Sequence, residues 1–160
     1  MKRIDEILEH EVFKKQLSDI NEAEKNRMFC NHDMEHLMDV ARIAWILNLE
    51  DGIGLDRELV YATALLHDIG KGRQYKEGIS HEIAGGEIAQ TILKDCGFTE
   101  EEIFRVKRAI LSHRDPAVKN DKNLRGVIYR ADKASRPCFM CKMSKECNWP
   151  EEKKNTHVIY

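Results

Sequence analysis

The most restrictive stretch of this chain is RELVYATALLHDIG, residues 57–70. Its apolar run reaches Ile69, Asp56 is placed to cap its start, and Gly70 is expected to stop it. Such a run predicts a buried helix. A helix that only had to pack would need no imidazole, carboxylate and ammonium at its end, yet His67, Asp68 and Lys71 stand there.

The neighbouring segments have the same helical period. HDMEHLMDVARIAWILNL places Leu37, Val40, Ala44 and Leu47 on one stripe, and Gly52 and Gly54 break the chain after it. Ser80 opens HEIAGGEIAQTILKDCG, with Ile83, Ile88 and Ile92 expected to face inward and Gly97 as a stop. Thr99 followed by Glu102 is a capping-box pattern for the next helix, EEEIFRVKRAILSH. A last helix is expected over about Lys122–Ser135, carrying Val127, Ile128 and Ala131. No stretch shows clean β alternation. The expected fold is an all-α, single-domain helical bundle over residues 1–136. Residues 137–160 form a short Cys-rich C-terminal tail, not an independent domain.

A length of 160 residues with 42% apolar and 34% charged side chains suits one folded domain with a real core. No apolar run approaches the ~20 residues that span a bilayer, so no membrane partner is expected. The start, MKRIDEILEHEVFKK, lacks the apolar segment of a secretory signal, which makes a cytoplasmic location the expectation. A net charge of -2 argues against binding a nucleic-acid polymer. The charge is uneven: residues 119–160 hold ten Lys/Arg against five Asp/Glu. Such a basic segment suits a small phosphorylated partner.

The polar groups that matter lie within or at the ends of the apolar helices: His36, His67, Asp68, His81, His113 and Asp132. A buried polar group without a partner costs roughly 1–3 kcal/mol, and a charge costs more. Taken singly, each has an ordinary explanation as a satisfied core histidine or a capping aspartate. Six together are accounted for economically if they converge on a cation. Imidazole and carboxylate donors suit Fe, Mn, Zn, Co or Ni, whereas Mg and Ca prefer oxygen-only shells. Adjacent residues project about 100° apart on a regular helix, so His67 and Asp68 reach one ion only from a helix end. Asp68 could also bridge two ions, one oxygen to each.

His36, then His67-Asp68, then Asp132, in the contexts EHLMDVA, ALLHDIGK and RADK, resemble the signature of the HD-domain superfamily of metal-dependent phosphohydrolases. The resemblance covers roughly residues 28–136. It implies a helical bundle with the metal site between its central helices. His36, His67, Asp68 and Asp132 would hold the first ion. In the two-metal branch, His81 and His113 complete a second site and Asp68 bridges; where one ion binds, these histidines would contact phosphate instead.

The implied activity is attack by metal-activated hydroxide on a phosphate ester or anhydride of a small molecule, a nucleotide or dinucleotide being the expected class. Asp68 and Lys71 are the catalytic candidates. Lys71, Arg114 and Arg136 are the candidates for holding substrate phosphate. Two other classes stay open: a non-catalytic nucleotide- or redox-sensing metal module, and a di-iron oxygenase of HD-like type. A purely structural metal site would leave Lys71 and the extra histidines without a use.

Cys138, Cys141 and Cys147 form a CxxC followed by a third cysteine, a candidate zinc or iron–sulfur centre. A fourth ligand would come from His157, Cys30 or outside the chain. Cys96 is expected to be a buried small hydrophobe. His32 shares a helical face with His36 and is expected on the surface or just outside the ligands, and His10 is expected to be solvated.

Overall fold

The computed structural model describes all 160 residues. Eight helices follow one another without a strand: α1 (Lys2–Glu9), α2 (Glu11–Glu24), α3 (Met34–Glu50), α4 (Arg57–Leu66), α5 (Lys71–Glu77), α6 (His81–Asp95), α7 (Glu100–Ser112) and α8 (Leu124–Ala134). Short 3-10 turns cover Pro116–Val118, Cys138–Met140 and Glu151–Lys153. No helix is long and apolar enough to cross a membrane.

The apolar run beginning at Arg57 becomes the axis of the bundle. Every residue of α4 from Leu59 to Leu66 is buried, and α1, α3, α7 and α8 all pack against it. One apolar cluster of 32 buried residues extends from Ile4 to Ala131, so the chain folds as one domain, as expected. The stripe Leu37, Val40, Ala44 and Leu47 is buried against it.

Side-chain caps set several helix starts. Asp56 accepts from Leu59 N–H, Asp33 from His36 N–H, and Asn123 from Arg125 and Gly126 N–H. Thr99 and Glu102 form the reciprocal capping box. Gly97 ends α6 with φ +73, as a stop glycine should.

Three expectations are corrected. Gly70 does not stop α4: the helix ends at Leu66, and Gly70, with φ -80, is the N-cap of α5. It is glycine because α6 passes too close. A Cβ there would lie 2.2 Å from His81 O and 2.4 Å from Gly85 N. Ile83 is 53% exposed, while Ile88 and Ile92 are buried; Ala84 and Ala89 take up the inward face. Ser80 opens α6 as its N-cap residue, as expected, with its hydroxyl on the Glu82 carboxylate. His10 is not merely solvated. Its Nδ1 caps α2 by accepting from Val12 N–H, and its Nε2 meets Asp95 at 3.2 Å.

Candidate metal centre

The turn from α4 into α5 solves the problem of adjacent ligands. The chain leaves the helix after Leu66, Ile69 N–H donates to Leu66 O, and Lys71 N–H donates to Asp68 O at 2.9 Å. His67 and Asp68 thereby point to one side. His36 arrives from the first turns of α3, His81 from the start of α6, His113 from the end of α7, and Asp132 from α8. All six are buried.

Two groups form, and Asp68 belongs to both. His36, His67, Asp68 and Asp132 place one ligand atom each within 4.8 Å of one another, and so do Asp68, His81 and His113. The two oxygens of Asp68 divide the work. Oδ2 faces His67 Nε2 at 3.1 Å and His36 Nε2 at 3.6 Å. Oδ1 faces His81 Nε2 at 3.2 Å and His113 Nε2 at 3.5 Å. Asp132 Oδ1 closes the first group, 3.6 Å from His36 and 3.8 Å from His67.

The outer ring nitrogens fix which atom faces inward. His67 Nδ1 donates to Ala64 O at 2.7 Å, His113 Nδ1 to Ile110 O at 2.6 Å, and His81 Nδ1 to Gln74 Oε1 at 2.7 Å. In the neutral ring each Nε2 then presents a lone pair. His81 and His113 point these lone pairs at each other across 3.2 Å, which is repulsive unless a positive charge lies between or beside them. His67 Nε2 and Asp68 Oδ1 are buried without a hydrogen-bond partner. Native folds rarely tolerate such orphans, and a divalent cation would satisfy both.

The electrostatics favour the same cation. Burial opposes charge on Asp68, but His67, His113 and His36 outweigh it and hold the carboxyl well below its usual range. Burial likewise resists Asp132 ionisation and is overcome by His67 and Lys133. The two carboxylates raise His67 to about 10 against its own burial. They attract a proton there, and a divalent cation answers the same field with twice the charge. Burial pushes His36 down to about 4 and lowers His81 as well, so both rings favour the neutral form that a metal ligand needs.

The other predicted residues separate. Lys71 is mostly buried at the start of α5, its Nζ 4.0 Å from Asp68 Oδ1. Arg136 is buried beside the first group, with Nη2 3.2 Å from His36 Nε2 and 3.7 Å from Asp132 Oδ1. Arg114 is exposed and turned to Glu82 at 3.3 Å. His157 is exposed at the end of the chain.

His32 is buried, unlike a surface residue, and its Nε2 stands 3.7 Å from Asp68 Oδ2. Its Nδ1 is held by Glu24 at 2.5 Å, and Tyr75 Oη donates to the same carboxylate. Sequence reasoning missed Glu24, Tyr75 and Gln74. The available signal was that Glu24 follows Ile20 by one helical turn, on the buried face of α2.

Comparison with known proteins identifies the family. The model of the HD domain family matches residues 33–136. The chain belongs to the HD domain family. This HD domain is 50% identical over 137 residues to a protein of unassigned function from Clostridium beijerinckii, covering 86% of this chain and 85% of that one. It is 42% identical to ribonuclease Y of Petrotoga mobilis over 57 residues, 36% of this chain but 11% of that much longer protein. Among solved structures it resembles a predicted HD superfamily hydrolase from an uncultured Thermotogales bacterium. That likeness has a TM-score of 0.62 and 25% identity, over 88% of this chain and 80% of the other. Hydrolysis is the general class of chemistry that these likenesses support.

The clamp on His32 has a measurable acid limit. Burial raises the Glu24 carboxyl, but His32 and Tyr75 outweigh it and lower it from 4.5 to about 2. The unfolded chain therefore binds more protons below pH about 4.5. Glu24's stabilisation is complete above that pH and is lost as pH falls through about 2. Urea midpoints of the wild type and Glu24→Gln should draw together as pH falls from about 5 to about 3; curves that stay parallel would count against this role.

Proposed function

We propose that this HD domain is a metal-dependent phosphohydrolase of small phosphorylated molecules, a nucleotide or dinucleotide being the expected class. The reading has two divalent transition-metal ions per chain, bridged by Asp68. What carries it is the division of Asp68's two oxygens between two histidine groups, with an unsatisfied buried atom in each group.

Divalent ions bound there would supply charge neutralisation at phosphoryl oxygens and a water that ionises near neutral pH. The chain's own residues do the rest. The Nδ1 bonds of His67, His81 and His113 lock three rings with Nε2 inward. Asp132 completes the first ligand set. Lys71 stands on the Asp68 Oδ1 side and directs an ammonium at a phosphoryl oxygen in this reading. Burial lowers its pKa against the pull of Asp68, so an anionic substrate would favour its charged form. Arg136 adds positive charge on the opposite side, beside His36, its Nη1 held by Asn31 O and its Nη2 facing His36 Nε2. Arg114, held by Glu82 at the surface, is left to the rim.

The test is phosphate release from a panel of nucleotides, dinucleotides, sugar phosphates and a short RNA, with Mn or Fe supplied without oxygen. Turnover on one class supports the reading and names the substrate group. Binding without turnover would favour a sensor instead, and oxygen uptake a di-iron oxygenase. A second expected result concerns Lys71→Met. The variant should keep its metal content but lose about 10- to 100-fold in kcat/KM, roughly 1.4–2.7 kcal/mol of transition-state stabilisation. Unchanged kinetics would remove Lys71 from the phosphate contacts.

A further inference from the structure

Residues after Arg136 contribute no buried hydrophobic side chain, yet they take a defined path. Asn155 Nδ2 donates to the carbonyls of Lys133, Ala134 and Arg136, at 2.7, 3.2 and 2.9 Å. Lys154 Nζ donates to Ser144 O at 2.7 Å. A segment folded back on itself without a core needs some other staple, and in small units that staple is commonly a disulfide or a metal. There is no disulfide, since all five cysteines are free.

The cysteines are arranged for the second option. Cys138 and Cys141 flank a tight turn in which Cys141 N–H donates to Cys138 O at 3.2 Å, and Ser144 N–H then donates to Cys141 O at 3.2 Å. Cys30 comes from the loop before α3. Arg136 Nη1 pins that loop to the tail by donating to Asn31 O at 3.0 Å. Cys30, Cys138 and Cys141 line one cavity of about 360 Å³, together with Met28, Met140 and Arg136. Burial raises the Cys30 thiol and Arg136 opposes this, while Cys141, Cys138 and Cys147 each raise it further. Cys147 is half-buried in the same folded-back segment, three residues after Ser144, whose carbonyl Lys154 holds. The fifth cysteine, Cys96, is buried at the end of α6, away from this group.

We infer that Cys30, Cys138, Cys141 and Cys147 form a four-thiolate site for a thiophilic metal, separate from the His/Asp cluster. Four cysteines hold either one zinc ion or an iron–sulfur cluster, and the three from the tail alone would leave the shell incomplete. The His/Asp ligands are already within 4.8 Å of one another; the thiols are more loosely gathered, and metal would draw the tail onto the loop before α3. The inference stands whether or not the chain is a phosphohydrolase.

The full chain, expressed with iron and zinc and purified without oxygen, tests it. A cluster would give a brown protein with acid-labile sulfide. Zinc would give a colourless one that, after exchange, shows the near-ultraviolet thiolate-to-cobalt band that His and carboxylate ligands do not produce. Either signal should be lost in Cys30→Ser and in Cys147→Ser, with helical content preserved by circular dichroism. Alkylation of the wild type read by mass spectrometry needs no variant to fold. Cys30, Cys138, Cys141 and Cys147 should be protected together and released together by a chelator. No thiolate signal in the wild type would overturn the site. A signal that survives Cys30→Ser, with Cys30 alkylated equally fast with and without chelator, would overturn the fourth ligand.

Discussion

Asp68→Asn is expected to lose at least about a thousandfold in turnover, near 4 kcal/mol of transition-state stabilisation, and to retain less metal than the wild type. The substitution keeps size and shape but removes the charge that both histidine groups share. One end of the new amide must also be a nitrogen. It cannot present oxygen to His36 and His67 on one side and to His81 and His113 on the other. Metal content and phosphate release would be measured on the same preparation. A variant that keeps both at wild-type level would show that Asp68 does not bridge.

Gly70→Ala is expected to be the most damaging single methyl in this part of the fold. The new Cβ would meet backbone, His81 O at 2.2 Å and Gly85 N at 2.4 Å, not a side chain that can rotate away. Either α6 moves off the turn or the turn distorts; both displace His81 from Asp68. Overpacking typically costs about 1–3 kcal/mol, occasionally more, and a clash with backbone belongs at the upper end. Gly85→Ala is the control, because its nearest contacts begin at 3.4 Å and include a flexible Ile110 methyl. Thermal melts and metal content should separate the two; equal behaviour would mean the contact relaxes easily.

These two positions mark how far the sequence could be read. Asp68 was legible because a carboxylate at the end of a buried apolar helix, with histidines at other helix ends, has few inexpensive explanations. The helix itself was legible for the same reason: its run from Leu59 to Leu66 leaves no polar face. Gly70 was visible as a glycine but not for its purpose, because the constraint is the backbone of α6, more than ten residues away. Helix α5 went unforeseen since KGRQYKE has no apolar stripe and buries only Gly72. With it went Gln74 and Tyr75, the supports of His81 and Glu24. Arg114 adjoins His113 in sequence, but the end of α7 turns its long side chain outward to Glu82.

Asn155 has a consequence for any shortening of the tail. Its side chain caps the last carbonyls of α8, the helix that carries Asp132, from 22 residues further along the chain. A chain cut before Asn155 would leave the carbonyls of Lys133, Ala134 and Arg136 without this donor, and the last turn of α8 is then expected to fray. The first ligand group thus leans on a part of the chain that contributes no ligand to it.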